Sequence, residues 1–465
     1  MSRVFRRLSS TTTITVKATP SKDHFHRQLP TSSFPKGYLA TGIHVGVKKV
    51  AGVLDVGLII STSQHPASAA ACFTRNAFKA APVVVSDQIL SQNGGRARAV
   101  VVNSGCANAV TGRQGLDDAW AMVRETDALL PPLSSSSAQN HTLVMSTGVI
   151  GQNLPISKIV QGIRSQAAED RSLASDFAAW ERAAKAFMTT DTFPKLRSRV
   201  FTINGTDFRM AGMDKGAGMI HPDMGPATTS FGPLHATLLG CIFTDAAVSP
   251  RSLQSALTYA VERSFNSISV DGEMSTNDTI LVLANGAAQQ NNGQVVEIDE
   301  ETDKQGYEIF KTELTQFAAE LAQLVVRDGE GATKFVTVNV KGAPSYEVAH
   351  QVASRISTSA LVKTAFYGED ANWGRILSAA GSISVPHLDP SKVSVTFLPS
   401  DKTASLPVLV NGEPEKVDEI RAKEILSLEE FGICVDLGGL GNEEATYWTC
   451  DFSYDYVRIN GDYRS

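Results

Sequence analysis

Residues 210–246 read MAGMDKGAGMIHPDMGPATTSFGPLHATLLGCIFTDA, passing from glycine, proline and small hydroxyl residues straight into an apolar run that begins at Thr237. A domain linker normally ends in polar residues. This one ends in a buried strand, so the loop belongs to the fold. Ahead of it, short apolar runs such as VLDVGLII, RAVVVNSG and TLVMSTGVIG alternate with glycine-containing turns and read as strands. Residues 156–187 carry apolar positions at helical spacing, with Ser172 as a cap inside the stretch, and predict one or two helices. From Thr237 the pattern restarts with strand TLLGCIFT, helix RSLQSALTYAVERSF, strand TILVLANGA, helix GYEIFKTELTQFAAELAQLVV and strand TKFVTVNVKG. A further helix, AHQVASRISTSALVKTAF, precedes a β-rich last quarter. Strands and helices mixed throughout, with no repeat and no long linker, predict α/β or α+β layers.

A chain of 465 residues that is 42% hydrophobic can bury a large core or two domains. Its net charge of -6 gives no electrostatic case for nucleic acid, which calls for a basic face. The five cysteines (Cys72, Cys106, Cys241, Cys434, Cys450) are odd in number and lack CxxC spacing, which argues against a disulfide framework or a zinc site. No HExxH pair occurs among the nine histidines, and no metal is expected. No segment offers roughly 18 uninterrupted apolar residues, so no membrane span is expected. The first 22 residues hold five basic residues, no acid and many hydroxyls, the composition of a mitochondrial transit peptide.

Thr237 has a specific chemical use if the chain cuts itself between Ala236 and Thr237. A hydroxyl one residue after a strained peptide can attack the preceding carbonyl, giving an ester that water opens. The new chain then starts with threonine, whose α-amino group, with a reference pKa of about 7.7–8.0, serves as base for its own hydroxyl. An acyl-threonine also needs donors for its oxyanion. Two glycine-containing turns after strands qualify, NSGCANAVTG at 103–112 and STGVIG at 146–151. In the second, Thr147 offers a hydroxyl and Gly148 an unshielded backbone N–H. Neither turn has the pattern of a phosphate loop.

At this point the residues resemble a known family. KGAGMIHP followed by ATLLG and FTDA is similar to the bifunctional ornithine acetyltransferase/glutamate N-acetyltransferase of arginine biosynthesis, mitochondrial type. The resemblance runs over nearly the whole chain through FPKGYLATGIHVGVKK, VVNSGCANAVTG, STGVIG, MTTDTFPK, SVDGEMSTNDT, DGEGATK, FYGEDANWGRIL and DYVRINGDYRS. It implies an αββα sandwich of the type shared with N-terminal-nucleophile aminopeptidases. It implies a transit peptide at 1–22, an α chain at 23–236 and a β chain at 237–465, together one catalytic unit in the mitochondrial matrix. Thr237 is the implied nucleophile, and Thr147 and Gly148 the oxyanion pair. The implied substrate positions are Thr189, Lys215, Thr237, Glu330, Asn460 and the final Ser465. Lys215 suits a carboxylate and Glu330 an ammonium. SVDGEMSTNDT lacks the spacing of a calcium loop and reads as a turn packed near the site.

The implied reaction is ping-pong: an acetyl group passes from N2-acetyl-L-ornithine to Thr237 and then to L-glutamate. No cofactor is called for, although the family's bifunctional members also take acetyl-CoA as co-substrate. The implied assembly is an α2β2 heterotetramer. One departure stands out, the eleven residues GPATTSFGPLH between Met224 and Ala236, where the family order is methionine, alanine, threonine. They create a rival Ala227–Thr228 step, but LLGCIFTDA continues from Thr237 as the family strand does. Two other readings remain open on the residues: an aminopeptidase or amidase with water as acceptor, and an uncut metabolite-binding relative without turnover.

Overall fold

The structure, a computed structural model, describes residues 17–132, 140–168, 171–226, 238–289 and 296–461. Ala236, Thr237, the rival step at 227–228, Ser465 and most of the segment 1–22 lie outside the described residues.

Three sheets organise the described residues. The first has four strands in the order Tyr38–Ile43, Val56–Ser61, Ala99–Cys106, Thr142–Val149. The second runs Arg96–Ala97, Ala67–Thr74, Thr279–Ala284, Leu239–Thr244, Thr206–Lys215, Lys195–Ile203, with Met224–Pro226 added beside Ala67–Thr74. The third gathers Ile268–Ser269, Glu443–Cys450, Phe335–Ala343, Glu430–Asp436, Ser394–Pro399, Leu406–Val410 and Glu413–Pro414.

Alternation along the strands explains how the first two sheets stack. Leu239, Cys241 and Phe243 share one apolar cluster with Leu58 and Val100 of the first sheet. The intervening Ile242, with Ile280 and Val282, faces the opposite cluster, built on the helices Pro250–Glu262 and Lys304–Arg327. Period-two side-chain direction thus gives the second sheet two covered faces. The helices Ala81–Gln92, Gly112–Asp127 and Phe177–Phe187 pack against the first sheet, and Trp180 of the last also reaches Phe243 of the second, with ring centroids 5.6 Å apart. The third sheet has its own core, with Val336, Val338, Ile433 and Val435 under Val352 and Ile356 of the helix Tyr346–Ser357.

The apolar run after Thr237 is the central strand of the second sheet. Leu239–Thr244 pairs antiparallel with Thr206–Lys215 and parallel with Thr279–Ala284, and all six of its residues are buried. Burying such side chains contributes about 1.5–3 kcal/mol each.

Two helix readings need correction. Residues 156–187 form two helices, Ile156–Ser165 and Phe177–Phe187, and the second is capped by Asp176, whose carboxylate accepts from Ala179 N–H at 2.9 Å. Ser172 instead hydrogen-bonds Thr41 at 2.7 Å and Gln166 at 3.0 Å, so its hydroxyl ties the connecting loop to the first sheet. The single helix expected over AHQVASRISTSALVKTAF divides into Tyr346–Ser357 and Ala360–Gly368, because Ser359 turns its hydroxyl to cap the second.

Candidate active site

Thr147 and Gly148 sit near the carboxyl end of the strand Thr142–Val149, in register beside Ser104 and Gly105. Gly148 has φ +125°, and a Cβ there would lie 2.4 Å from the carbonyl carbon of Gly105, itself at φ +110°. Only glycine meets both demands. The two glycines let the strand ends approach closely and leave the Gly148 N–H unshielded by any side chain of its own. Thr147 is fully buried and accepts a hydrogen bond from Lys215 Nζ at 3.2 Å.

Lys215 ends the strand Thr206–Lys215 opposite Leu239, two residues beyond Thr237. It too is buried, and burial lowers its ammonium pKa, with Asp191, Glu330 and Asp278 pulling the other way and Lys195 adding to the lowering. Glu330 enters from the end of the helix Lys304–Arg327: its backbone N–H donates to Ala217 O at 2.8 Å, and its carboxylate accepts from Asn460 Nδ2 at 2.8 Å. The space for that carboxylate comes from Gly218, where a Cβ would stand 2.3 Å from Glu330 Oε2. Thr189 N–H donates to Asp191 Oδ2 at 2.8 Å, and Asp191 Oδ1 accepts from Gly216 N–H at 2.8 Å. Thr147, Gly148, Thr189, Lys215, Glu330 and Asn460 are thereby joined through short chains of contacts.

Beneath them lies a cluster that the sequence analysis did not single out. Lys195 Nζ bridges Asp191 at 2.5 Å and Asp328 at 2.6 Å, all three side chains being buried. Asp328 also accepts from the Thr192 backbone N–H at 2.9 Å and from its hydroxyl. Burial opposes ionisation of Asp191, but Lys195 and Lys215 outweigh it and hold the carboxyl below its ordinary range. Asp328, burdened by burial and by the neighbouring Asp191 against the pull of Lys195, is pushed up. Asp191 therefore joins Thr189, Gly216 and Lys195. The signal was present in MTTDTFPK, whose aspartate and lysine stand four residues apart.

Lys48 was also missed. Four consecutive backbone N–H groups, from Val45 to Lys48, donate to the Asp55 carboxylate and curl the HVGVKK loop. Burial brings the Lys48 amine down to about 8, against the opposing pull of Asp55 and Asp191, and Lys215 adds to the lowering. The third missed group is Asn277–Asp278, in the turn expected near the site. Asn277 Nδ2 donates to Ala107 O at 2.8 Å and to Ser146 O at 2.5 Å, tying the turn to the two strand ends that carry Gly105 and Thr147. Asp278 Oδ1 accepts from Leu238 N–H at 2.8 Å. Among the described residues no group of three histidine, cysteine or acidic side chains is placed to hold a metal ion, and no helix is long and apolar enough to cross a membrane.

A layered α/β chain with a hydroxyl and a glycine amide beside a buried lysine, which faces the strand opening the second half, belongs to the class built for acyl transfer. The chain belongs to the ArgJ family, whose model matches residues 39–465. The mitochondrial arginine biosynthesis bifunctional protein ArgJ of Coprinopsis cinerea is 73% identical to it over 474 residues, covering 99% of each chain. The protein of that name from Postia placenta is 67% identical over 466 residues, covering 99% of this chain and 98% of its own. A solved ornithine acetyltransferase from Mycobacterium tuberculosis, complexed with ornithine, is 34% identical with a TM-score of 0.33, covering 41% of this chain and 94% of that one.

Proposed function

We propose that this acetyltransferase of arginine biosynthesis moves an acetyl group from N2-acetylornithine to glutamate through Thr237 in a chain that has cut itself after Ala236. The enzyme is mitochondrial, as its close relatives are named. The observation that carries the mechanism is the contact of Lys215 with Thr147, beside Gly148 and opposite the strand that continues from Thr237.

Thr237 Oγ, deprotonated by its own α-amine, attacks the acetyl carbonyl; Thr147 Oγ–H and the Gly148 N–H receive the oxyanion. Collapse breaks the C–N bond, and ornithine leaves with the proton held by the amine. The glutamate amine then attacks the acetyl-threonine ester, giving N-acetylglutamate and restoring the Thr237 hydroxyl. Lys215 receives a substrate carboxylate and Glu330, oriented by Asn460, an ammonium. Thr189 and Ser465 complete the substrate positions, and the Asp191–Lys195–Asp328 cluster fixes the backbone at Gly216 behind Lys215.

Sheet pairing supports the division into an α chain ending at Ala236 and a β chain beginning at Thr237. Thr206–Lys215 and Ala67–Thr74 on the α side pair with Leu239–Thr244 and Thr279–Ala284 on the β side, so both pieces stay in one sheet after a cut. Acetyl-CoA is the proposed second donor for glutamate, read by release of free CoA thiol. Two copies of each chain are the proposed assembly, read by mass in solution. Assaying deacetylation of N2-acetylornithine with and without glutamate tests the central reading. Turnover that requires glutamate and follows parallel-line kinetics is expected. Release of acetate at the same rate without glutamate, or an obligatory ternary complex, overturns it.

A further inference from the structure

The loop between the strands Tyr38–Ile43 and Val56–Ser61 sets a lysine against the oxyanion turn and leaves its charge unmatched. The buried Asp55 carboxylate accepts from the four backbone N–H groups of Val45 to Lys48 at 2.7–3.2 Å, and the Asp55 carbonyl accepts from Ser104 N–H at 2.9 Å. The loop is thereby fastened to the strand that carries Gly105. There the fit is close: a Cβ on Gly105 would stand 3.2 Å from Lys48 Cγ and 3.3 Å from Lys48 N. Gly105 thus has the Lys48 stem against it as well as Gly148, whose neighbour Thr147 bonds Lys215 at 3.2 Å. Among the described residues the half-buried Lys48 ammonium donates to Leu54 O at 2.7 Å and pairs with no carboxylate. An ammonium has three N–H donors, and a lysine stem carries about 2 kcal/mol of rotamer entropy. One carbonyl is a small return for ordering it.

The two substrates differ in what they ask of such a group. N2-acetylornithine brings one carboxylate and one ammonium, whereas glutamate brings two carboxylates. Lys215 and Glu330 match the first substrate, but to the second Glu330 presents a like charge. Lys195 cannot compensate, since Asp191 and Asp328 already hold its ammonium. We propose that Lys48 is the specificity residue for the acceptor, its remaining N–H groups donating to the side-chain carboxylate of glutamate. This rests on the substrate positions given to Lys215 and Glu330. It adds how one site takes two amino acids whose side chains end in opposite charges: each charge has its own partner, Glu330 for the ammonium and Lys48 for the carboxylate.

The test measures kcat/KM for N2-acetylornithine, for glutamate and for glutamine, its uncharged counterpart, in wild type and Lys48→Met. Wild type is expected to prefer glutamate over glutamine about tenfold or more, and Lys48→Met to lose that preference through KM for glutamate while N2-acetylornithine suffers far less. Equal losses for all three substrates, the mark of a lysine that only holds its loop, overturn the proposal, as does an undiminished preference for glutamate. Glu330→Gln, run alongside, checks the reading beneath: it should weaken N2-acetylornithine and favour glutamate. The opposite result overturns the role of Glu330, while the Lys48→Met ratio still decides this inference. If Lys48→Met does not fold, the wild-type enzyme decides. The ratio of kcat/KM for glutamate to that for glutamine cancels the groups that serve both acceptors, Lys215 among them. Burial brings the Lys48 amine down to about 8, with Lys215 adding to the lowering and Asp55 and Asp191 opposing it. His44, 3.4 Å from Asp55, and Lys158, over Gly46, are the other charged groups around the loop. The ratio is therefore expected to fall as pH rises through about 8, and a ratio flat from about pH 6.5 to 9 overturns the proposal.

Discussion

The second and third sheets each have seven strands, yet they differ in how they meet solvent. Strands Ala67–Thr74, Leu239–Thr244 and Thr279–Ala284 of the second sheet are buried at every position. Glu430–Asp436 of the third alternates buried with half-buried residues, the pattern of a sheet covered on one face. Polar groups at the ends of the doubly covered strands cannot reach water, and their proton affinities move: Lys215 down, Asp278 up to about 7. The third sheet carries none of the residues proposed for chemistry within its strands. It flanks the site through Glu330, ahead of Phe335–Ala343, and Asn460, beyond Glu443–Cys450. Reactive chemistry gathers where strands end inside the doubly covered layer.

That contrast can be broken at four points. Thr237→Ala is expected to leave the chain uncut and to reduce acetyl transfer about 10⁴-fold or more, read by gel and by ornithine release. Lys195→Met strands the buried Asp191 and Asp328 carboxylates and is expected to cost about 3–5 kcal/mol in denaturant unfolding, with a loss of kcat because Asp191 also holds Gly216. Gly148→Ala places a methyl against the Gly105 backbone and should lower kcat about 10²–10³-fold. Ile433→Ala, in the buried core of the third sheet, should cost about 2–5 kcal/mol of stability while kcat per folded molecule stays at the wild-type value. An equal loss of kcat in Ile433→Ala would erase the distinction between the two sheets.

A pH experiment sharpens it further and has the smallest expected effect. Because the folded Asp278 carboxyl titrates near 7, above the ordinary carboxylate range of the unfolded chain, protons favour the folded state. Its contribution to stability is fully present below about pH 4 and is lost as pH rises through 7. Asp278→Asn should flatten that part of the stability profile.

Much of this was legible in the sequence because periodicity reports burial. TLLGCIFT, TILVLANGA and RAVVVNSG read as strands, and the strands Leu239–Thr244, Thr279–Ala284 and Ala99–Cys106 fall on them, while Gly148 of STGVIG stands where a side chain would collide with Gly105. The helix ends were less legible, since Asp176 and Ser172 are equally good caps on paper and only the contact with Thr41 assigns Ser172 elsewhere. Asp328 and Asp278 were illegible for another reason, and Lys195 showed only as a lysine four residues after Asp191 in MTTDTFPK. A lysine or aspartate in a sequence is by default a solvated charge, and what changes their chemistry is burial set by residues more than a hundred positions away, as for Lys195 and Asp328. The third sheet showed only as a β-rich last quarter, because its order depends on pairing that local patterns do not encode.

The most direct measurement takes the purified enzyme, incubates it with N2-acetylornithine in the absence of glutamate, quenches it and maps the β chain by mass spectrometry. The account predicts two chains, the second beginning Thr-Leu-Leu-Gly, with one acetyl group on that threonine that disappears when glutamate is added. A single uncut chain that still transfers acetyl, a β chain beginning at Thr228, or an acetyl group on another residue would contradict it.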